Sequence, residues 1–198
     1  MKINMGNMAK KFKNKYRIGS ARKPNWDYRT NGMYYVTICT GNRALHFGDV
    51  CDEEMIFTDI GRIANTCWLE IPEHFEFVQL DEFQIMPNHM HGLLKIQHDQ
   101  NNAEPLHVEP VHATVLRNGD QNKNEKMAGI SPKKGSLSTI IRSYKSAVTK
   151  DARIIDPGFT WQAKFHDSIV RDFQSLINIR NYIKNNPKNW RKDKLNPL

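Results

Sequence analysis

Residues 75–97 read FEFVQLDEFQIMPNHMHGLLKIQ, and this stretch decides the fold. It holds two runs with the composition of β-strands, 75–86 and 89–97, separated only by Pro87 and Asn88. A connection this short permits nothing but a tight reversal of the chain. The stretch therefore predicts two strands that pair antiparallel.

Strand and helix patterns alternate on both sides of this hairpin. Residues 33–40 are rich in β-branched and aromatic side chains and predict a strand, whereas 58–71 repeat apolar residues at helical spacing behind the capping residue Thr58. Downstream, the same reasoning predicts a helix over 137–153, a strand or extended segment over 161–171 and a helix over 173–186. The order favours an α+β domain of the ferredoxin-like or RRM-like kind, a mainly antiparallel sheet with helices packed on it.

Length and composition point to one core. A chain of 198 residues with 39% hydrophobic residues suits a single domain, which we place at 31–198. We expect a basic arm over 1–30 before it and a flexible insertion over 98–132, where the sequence is polar and has no sustained period.

Several classes of protein are disfavoured. No run approaches the roughly 18 consecutive apolar residues of a membrane span, and the N-terminus lacks the apolar region of a secretory signal. The three cysteines form no Cys-x-x-Cys pair, which argues against a disulfide framework and a thiolate zinc site. We expect a cytoplasmic protein without membrane contact.

The positive charge is concentrated in segments. The formal net charge is +8, and residues 1–30 account for all of it with nine Lys or Arg and one acid; 133–150 and 180–194 are also basic, whereas 47–82 hold ten acids and one arginine. Basic segments interleaved with aromatic residues suit a polyanion whose bases stack on rings, although a solvated surface with a basic tail is the plainer interpretation. The bases that we assign to DNA contacts are Lys10, Lys11, Lys13, Lys15, Arg17, Arg142, Lys145, Lys184 and Lys188.

The sharpest chemical feature is the pair His89 and His91. On a strand these side chains project from the same face, and two neutral imidazoles at that separation can converge on one divalent cation. On the last predicted helix, Tyr182 and Asn186 lie one turn apart on one shoulder of the apolar stripe and could face the same site. Taken alone, each pair has a plainer interpretation: two surface histidines on a half-exposed strand, and a packing tyrosine followed by an asparagine that ends a helix.

Three blocks of sequence together resemble the single-tyrosine HUH transposases of insertion sequences, with the closest likeness to the REP-associated tyrosine transposase branch. The blocks are MPNHMHG at 86–92, WQAKFHDSIVR at 161–171 and YIKNNP at 182–187. Members of that family pair a Pro-x-His-hydrophobic-His strand with a tyrosine one turn before an Asn-Pro, and the order and separation agree. The likeness covers about 34–190, interrupted by 98–132.

The resemblance implies an endonuclease and strand transferase that acts on single-stranded or hairpin DNA through a 5′-phosphotyrosine intermediate. By that likeness His89, His91 and Asn186 bind Mg²⁺ or Mn²⁺, and Tyr182 is the nucleophile. It also implies a nucleoid-associated protein that takes part in DNA transposition and recombination. The resemblance leaves open whether the protein is a homodimer, because some relatives exchange the C-terminal helix between subunits. Tyr182 could therefore serve the site of its own subunit or that of a partner.

Three alternatives remain at this point. Tyr144 competes for the role of nucleophile, although its apolar neighbours on the predicted helix favour packing. A domesticated protein would bind a DNA hairpin and cut nothing. A metal-dependent hydrolase of a small phosphorylated substrate would use the two histidines with water as the nucleophile, and would leave the basic segments and Tyr182 unexplained.

Overall fold

The structure is a computed structural model that describes residues 11–12, 15–16, 23, 26–99 and 132–197. The strands in these residues are β1 (Lys11–Phe12), β2 (Lys15–Tyr16), β3 (Gly32–Cys39), β4 (Gly48–Cys51), β5 (Glu54–Phe57), β6 (Val78–Met86), β7 (His89–Ile96) and β8 (His166–Val170). The α-helices are α1 (Asp59–Leu69), α2 (Ile71–His74), α3 (Leu137–Ile155) and α4 (Phe173–Lys184).

The main sheet has four antiparallel strands in the order β6-β7-β3-β8. With α1 and α3 they follow one another along the chain as strand, helix, strand, strand, helix, strand, and in space the four strands lie in the order 2-3-1-4. This is the split βαβ arrangement of ferredoxin-like domains. The α+β fold class expected from the sequence is confirmed.

The predicted hairpin is the pair β6 and β7. Met86 is opposite His89, so Pro87 and Asn88 form the two-residue turn between the strands. Because β7 lies between β6 and β3, both of its edges are hydrogen-bonded, and every residue of β7 except Lys95 is buried. The two histidines therefore sit in the interior of the sheet.

One face of the sheet packs on α1 and α3. The Oγ1 atom of Thr58 caps α1 by accepting a hydrogen bond from the Gly61 amide at 3.0 Å, as its sequence position predicted. The Trp68 ring of α1 is fully buried and meets Tyr144 of α3 edge-on, with ring centroids 5.2 Å apart. A Cβ atom added at Gly92 of β7 would lie 2.2 Å from the Trp68 ring, so this helix packs directly on the β7 backbone.

Strands β4 and β5 form a second hairpin that the sequence did not predict. Its turn places Asp52 and Glu53 at φ values of 50° and 65°, the left-handed pair that a two-residue hairpin turn requires. Asn-Gly or Asp-Gly is the usual signal for such a turn, and here two acids replace it. The flanking strands are short and weakly apolar, and their sequence pattern therefore does not indicate a hairpin.

Two segments expected from the sequence, the basic arm and the insertion, are described only in small part. Residues 100–131 of the predicted insertion and most of the predicted arm lie outside the described residues. Within the arm, β1 and β2 pair antiparallel. Among the described residues, no helix combines the length and apolar content that crossing a bilayer needs.

Candidate active site

His89 and His91 project from the face of the sheet opposite α1, because side chains alternate along β7 and Gly92 faces Trp68. Their Nε2 atoms are 3.1 Å apart, and both side chains are almost completely buried. The convergence of the two imidazoles expected from the His-x-His spacing is thus present in the structure.

The orientation of the His89 ring is set by Asn88. Both amide protons of Asn88 are donated to carbonyls, those of Arg43 at 3.2 Å and Leu195 at 2.7 Å. Its Oδ1 atom is left to accept from His89 Nδ1, 2.8 Å away. The proton of His89 is therefore on Nδ1, and the Nε2 lone pair faces the other histidine.

His91 is held by two hydroxyls of β3. Its Nδ1 atom lies 2.7 Å from the Tyr35 hydroxyl and 2.9 Å from Thr37 Oγ1. Each hydroxyl can donate or accept, so the pair accommodates either tautomer of His91. Such contacts to the second ring nitrogen are typical of histidines that ligate metals.

Both histidines are neutral at pH 7. Burial is the main cause that lowers the pKa of His89 to about 3, with a smaller contribution from the nearby Arg43 guanidinium. Burial also lowers the pKa of His91 to about 3; His89 adds to this effect and Asp193 opposes it. Neutral imidazoles are the form that binds a metal cation.

Asp193 is a third group at this site, and the sequence prediction missed it. Its Oδ2 atom lies 3.8 Å from His89 Nε2, and the three potential ligand atoms of Asp193, His89 and His91 lie within 4.8 Å of one another. Its Oδ1 atom accepts from the Leu195 amide at 2.7 Å, which turns Oδ2 toward the imidazoles. The available signal was that Asp193 is the one acid in the basic segment 180–194.

The Tyr182 hydroxyl lies 3.4 Å from His91 Nε2, and the two rings are 5.1 Å apart between centroids. The side chain is 49% exposed, so a large substrate can reach it. Partial burial raises the pKa of Tyr182, a hydrogen bond from Asn186 opposes that rise, and Asp193 adds to it. The phenol is therefore protonated at pH 7 in the absence of other charges.

The competing tyrosine lies elsewhere. Tyr144 is buried between α3 and α1, and its hydroxyl donates to the Ala64 carbonyl at 3.2 Å. Its pKa is raised strongly by burial. The packing role expected for Tyr144 is confirmed.

Asn186 also reaches the site, just beyond the end of α4. It is 2% exposed and contacts Tyr182, and its Oδ1 atom is buried with no hydrogen-bond partner among the described residues. A buried carbonyl oxygen without a donor is costly to leave unsatisfied, and a cation would satisfy it.

The donor set fits a divalent metal ion. Two ligands about 2.1 Å from a metal and at a right angle would be about 3.0 Å apart, close to the observed spacing of the imidazole nitrogens. Two nitrogens with one or two oxygens, from Asp193 and Asn186, suit Mn²⁺ better than Mg²⁺, which prefers an all-oxygen shell.

The bases assigned to DNA contacts are distributed unevenly around this site. Arg142 and Lys145 belong to α3 on the opposite face of the sheet, and Lys145 donates to the Gln162 carbonyl at 2.5 Å. Lys184 and Lys188 lie beside the site but are paired with Glu82 and Glu53, at 3.0 Å and 3.5 Å. The structure describes the backbone of Lys11 and Lys15, whereas Lys10, Lys13 and Arg17 lie outside the described residues.

The sequence and the fold were compared with those of known proteins. No protein-family model matches the sequence. The solved structure of a REP-associated tyrosine transposase bound to a REP hairpin matches with a TM-score of 0.53 and 12% identity, over 87% of this chain and 74% of that one. The fold is thus transposase-like, whereas membership of the HUH family stays a prediction. An uncharacterized protein of Haemophilus influenzae is 34% identical over 183 residues, which cover 89% of this chain and 91% of that protein, and the chain belongs to the same family as this protein.

Proposed function

We propose that the protein is a metal-dependent DNA endonuclease and strand transferase of the single-tyrosine kind, which acts in DNA transposition or recombination. The observation that carries the proposal is the approach of the half-exposed Tyr182 hydroxyl to within 3.4 Å of His91 Nε2, beside a buried cluster of metal-ligand type. The reach of a phenol into such a cluster favours covalent catalysis over hydrolysis by water.

In this proposal His89, His91 and Asp193 hold a divalent cation, and Asn186 is a further ligand or a polar contact to Tyr182. When bound, Mg²⁺ or Mn²⁺ supplies positive charge that stabilises the negative charge developing on the phosphate and on the leaving oxygen. Asn88, Tyr35 and Thr37 keep the two imidazoles aimed at a common point.

The proposed reaction uses the Tyr182 oxygen as the nucleophile. Its oxygen forms a bond to phosphorus, the bond from phosphorus to the 3′ oxygen breaks, the phenolic proton passes to solvent at the exposed side chain, and the 3′ oxygen takes up a proton from solvent. The products are a 5′-phosphotyrosine and a free 3′-OH. Attack of another 3′-OH on this ester rejoins DNA and restores the tyrosine, so cleavage and joining are one reversible exchange that needs no ATP.

The proposed substrate is single-stranded DNA near a hairpin. The net charge of +8 supports binding to a polyanion, and the fold is shared with a transposase whose structure contains a REP hairpin. Location in the cytoplasm with nucleoid association, and a homodimer, remain predictions that go with this substrate.

The test is the formation of a covalent adduct. We would incubate the full chain with Mn²⁺ and a 3′-labelled single strand that carries a hairpin, then separate the products in SDS. The label is expected on the wild-type protein and on the matched control Tyr144→Phe, because Tyr144 lies in the core on the opposite face. Tyr182→Phe and addition of EDTA should abolish it.

Two outcomes would contradict the proposal. Salt-dependent hairpin binding without an adduct, unchanged by loss of His89 or Tyr182, would indicate a domesticated DNA-binding protein. Turnover of a phosphorylated substrate that survives Tyr182→Phe would indicate a hydrolase that uses water.

Within the proposal, weaker Mn²⁺ binding in Asp193→Asn than in Asn186→Ala would identify Asp193 as the stronger ligand.

A further inference from the structure

A β-bulge in β6 presents two neighbouring acids to the helix that carries Tyr182. Leu80 is opposite Leu94 and Phe83 is opposite Gly92, so β6 has one residue more than β7 between these pairs. The extra residue puts Asp81 and Glu82 together at the irregularity. Without it, alternation along the strand would direct these two side chains to opposite faces.

The acids of the bulge bind successive turns of α4. Arg180 donates from Nε to Asp81 Oδ1 at 2.8 Å and from Nη2 to Oδ2 at 2.5 Å, a two-point contact with defined geometry. Lys184, one turn later, lies 3.0 Å from Glu82. Tyr182 is between these two cations in the sequence.

A third ion pair of the same kind lies in the segment after α4. Lys188, four residues beyond Lys184, is 3.5 Å from Glu53 in the turn of the β4–β5 hairpin. Three bases of the basic segment 180–194 thus face three acids of the acidic segment 47–82. Part of the uneven charge distribution in the sequence is therefore explained by ion pairs within the folded chain.

Apolar packing of α4 is lighter than that of α3, with Leu176, Ile177 and Ile179 only partly buried. Of its twelve residues, all of which the structure describes, Ile183 alone is fully buried, and Phe173 at its start is 72% exposed. The longer α3 buries seven residues, six of them apolar. The ion pairs to β6 therefore add contacts to a helix that the core holds less firmly than α3.

We infer that Asp81 and Glu82 are positioning residues: the bulge clamps α4 through Arg180 and Lys184 and so holds the Tyr182 hydroxyl at the histidine cluster. The importance of this clamp for catalysis rests on the function proposed above for Tyr182. The half-buried, two-point pair Asp81–Arg180 supplies most of the effect, because the other two pairs are more exposed and more fully screened by solvent.

The test separates docking of the helix from the reaction. Hydrogen exchange followed by mass spectrometry reports whether the amides of α4 are protected, and it needs neither DNA nor metal. In Asp81→Asn we expect these amides to exchange about fivefold faster, with the amides of β7 unchanged. The control Arg62→Gln removes an exposed ion pair within α1, to Asp59, and should leave α4 as in the wild type.

The reaction arm measures the rate of adduct formation at saturating hairpin DNA. For Asp81→Asn we expect a rate about fivefold lower with an unchanged DNA dissociation constant, because the substitution displaces the nucleophile and not the substrate. The reciprocal exchange, Asp81→Arg with Arg180→Asp, should restore both protection of α4 and the rate. A purely structural loss of stability would slow the reaction in proportion to unfolding and would expose β7 as well.

Equal exchange of α4 in Asp81→Asn and wild type would overturn the inference. Restored protection in the reciprocal variant with no recovery of the rate would overturn the positioning role. A wild-type protein that forms no adduct contradicts the proposed function instead, and the exchange arm still decides whether the bulge clamps α4.

Discussion

Strand β7 and helix α4 hold the two halves of the candidate site in different ways. The histidines of β7 lie in a strand that is hydrogen-bonded on both edges and almost wholly buried. Tyr182 lies on a helix with one fully buried residue, held by ion pairs to a bulge. The first half is fixed by the core and the second is docked on its surface.

This difference indicates which half of the site is held rigidly and which half can move. Imidazoles that converge on a cation must be held rigidly, because displacement of a ligand by a fraction of an ångström weakens the site. In the proposed reaction, the nucleophile approaches a large DNA strand, forms an ester and is later released, and such a group gains from a support of lower local stability. The following predictions test this contrast between the two elements.

The largest expected effect concerns the space beside β7. Gly92→Ala should lower the free energy of unfolding by about 3 kcal/mol, because the new methyl group would overlap the Trp68 ring and the strand cannot retreat. Urea denaturation measures this change. The matched control Gly158→Ala, whose new Cβ would meet a carboxylate oxygen of Asp156 at 3.1 Å, should stay within about 0.5 kcal/mol. Equal effects of the two substitutions would show that β7 is not tightly packed.

Acid should destabilise the metal-free protein through the same strand. Below about pH 6.5 the unfolded chain protonates both site histidines, whereas in the folded protein their pKa values are about 3 and they stay neutral. Stability is therefore retained above pH 6.5 and falls as the pH is lowered from 6.5 toward 3. We expect a loss of at least about 2 kcal/mol between pH 7 and pH 5, the value for one histidine alone.

Urea denaturation in EDTA at several pH values measures this dependence. The variant His91→Gln should show a shallower slope over the same range, since it has one buried imidazole fewer. The same slope in both proteins would attribute the pH dependence to other groups.

A smaller effect is expected from the residue that orients His89. Asn88→Ala should weaken Mn²⁺ binding about tenfold, because the acceptor that keeps the proton on Nδ1 is lost. Isothermal titration calorimetry measures the affinity, and the exposed Asn181→Ala on α4 is the matched control. Unchanged affinity in Asn88→Ala would mean that the strand alone aims the ring.

The smallest effect should separate the two elements directly. Raising NaCl from 0.1 M to 1 M shortens the Debye length from about 10 Å to about 3 Å, which weakens partly exposed ion pairs. We expect the amides of α4 to exchange about twofold faster at the higher salt and those of β7 to be unaffected, as hydrogen exchange would measure. A parallel change in both elements would indicate that they open together.

The sequence predicted the elements whose signals are local. The β6–β7 hairpin, the Thr58 cap of α1 and the apolar face of α3 are each encoded within a few residues, and all three are confirmed. The shared face of His89 and His91 follows from the geometry of a strand and was also predicted.

The features that were missed depend on contacts between distant residues. Asp193 reaches His89 across about one hundred positions, and its one local signal, a single acid in a basic segment, equally fits an acid that balances a basic tail. The bulge at Asp81 is visible only in the register of two strands. The pairing of Lys184 with Glu82 is likewise a product of folding, and the composition of the basic segment therefore suggested either DNA or solvent, but not this acid, as the partner of that lysine.

Asn88 has a consequence for the ageing of the protein. Its side-chain amide joins the turn before β7 to the carbonyls of Arg43 and Leu195 by donating both of its protons, and its oxygen accepts from His89. Deamidation to aspartate would keep an acceptor for the neighbouring ring but would set a negative oxygen against two carbonyls. The conversion would therefore replace two attractive contacts of this turn with repulsion, without any cut in the chain.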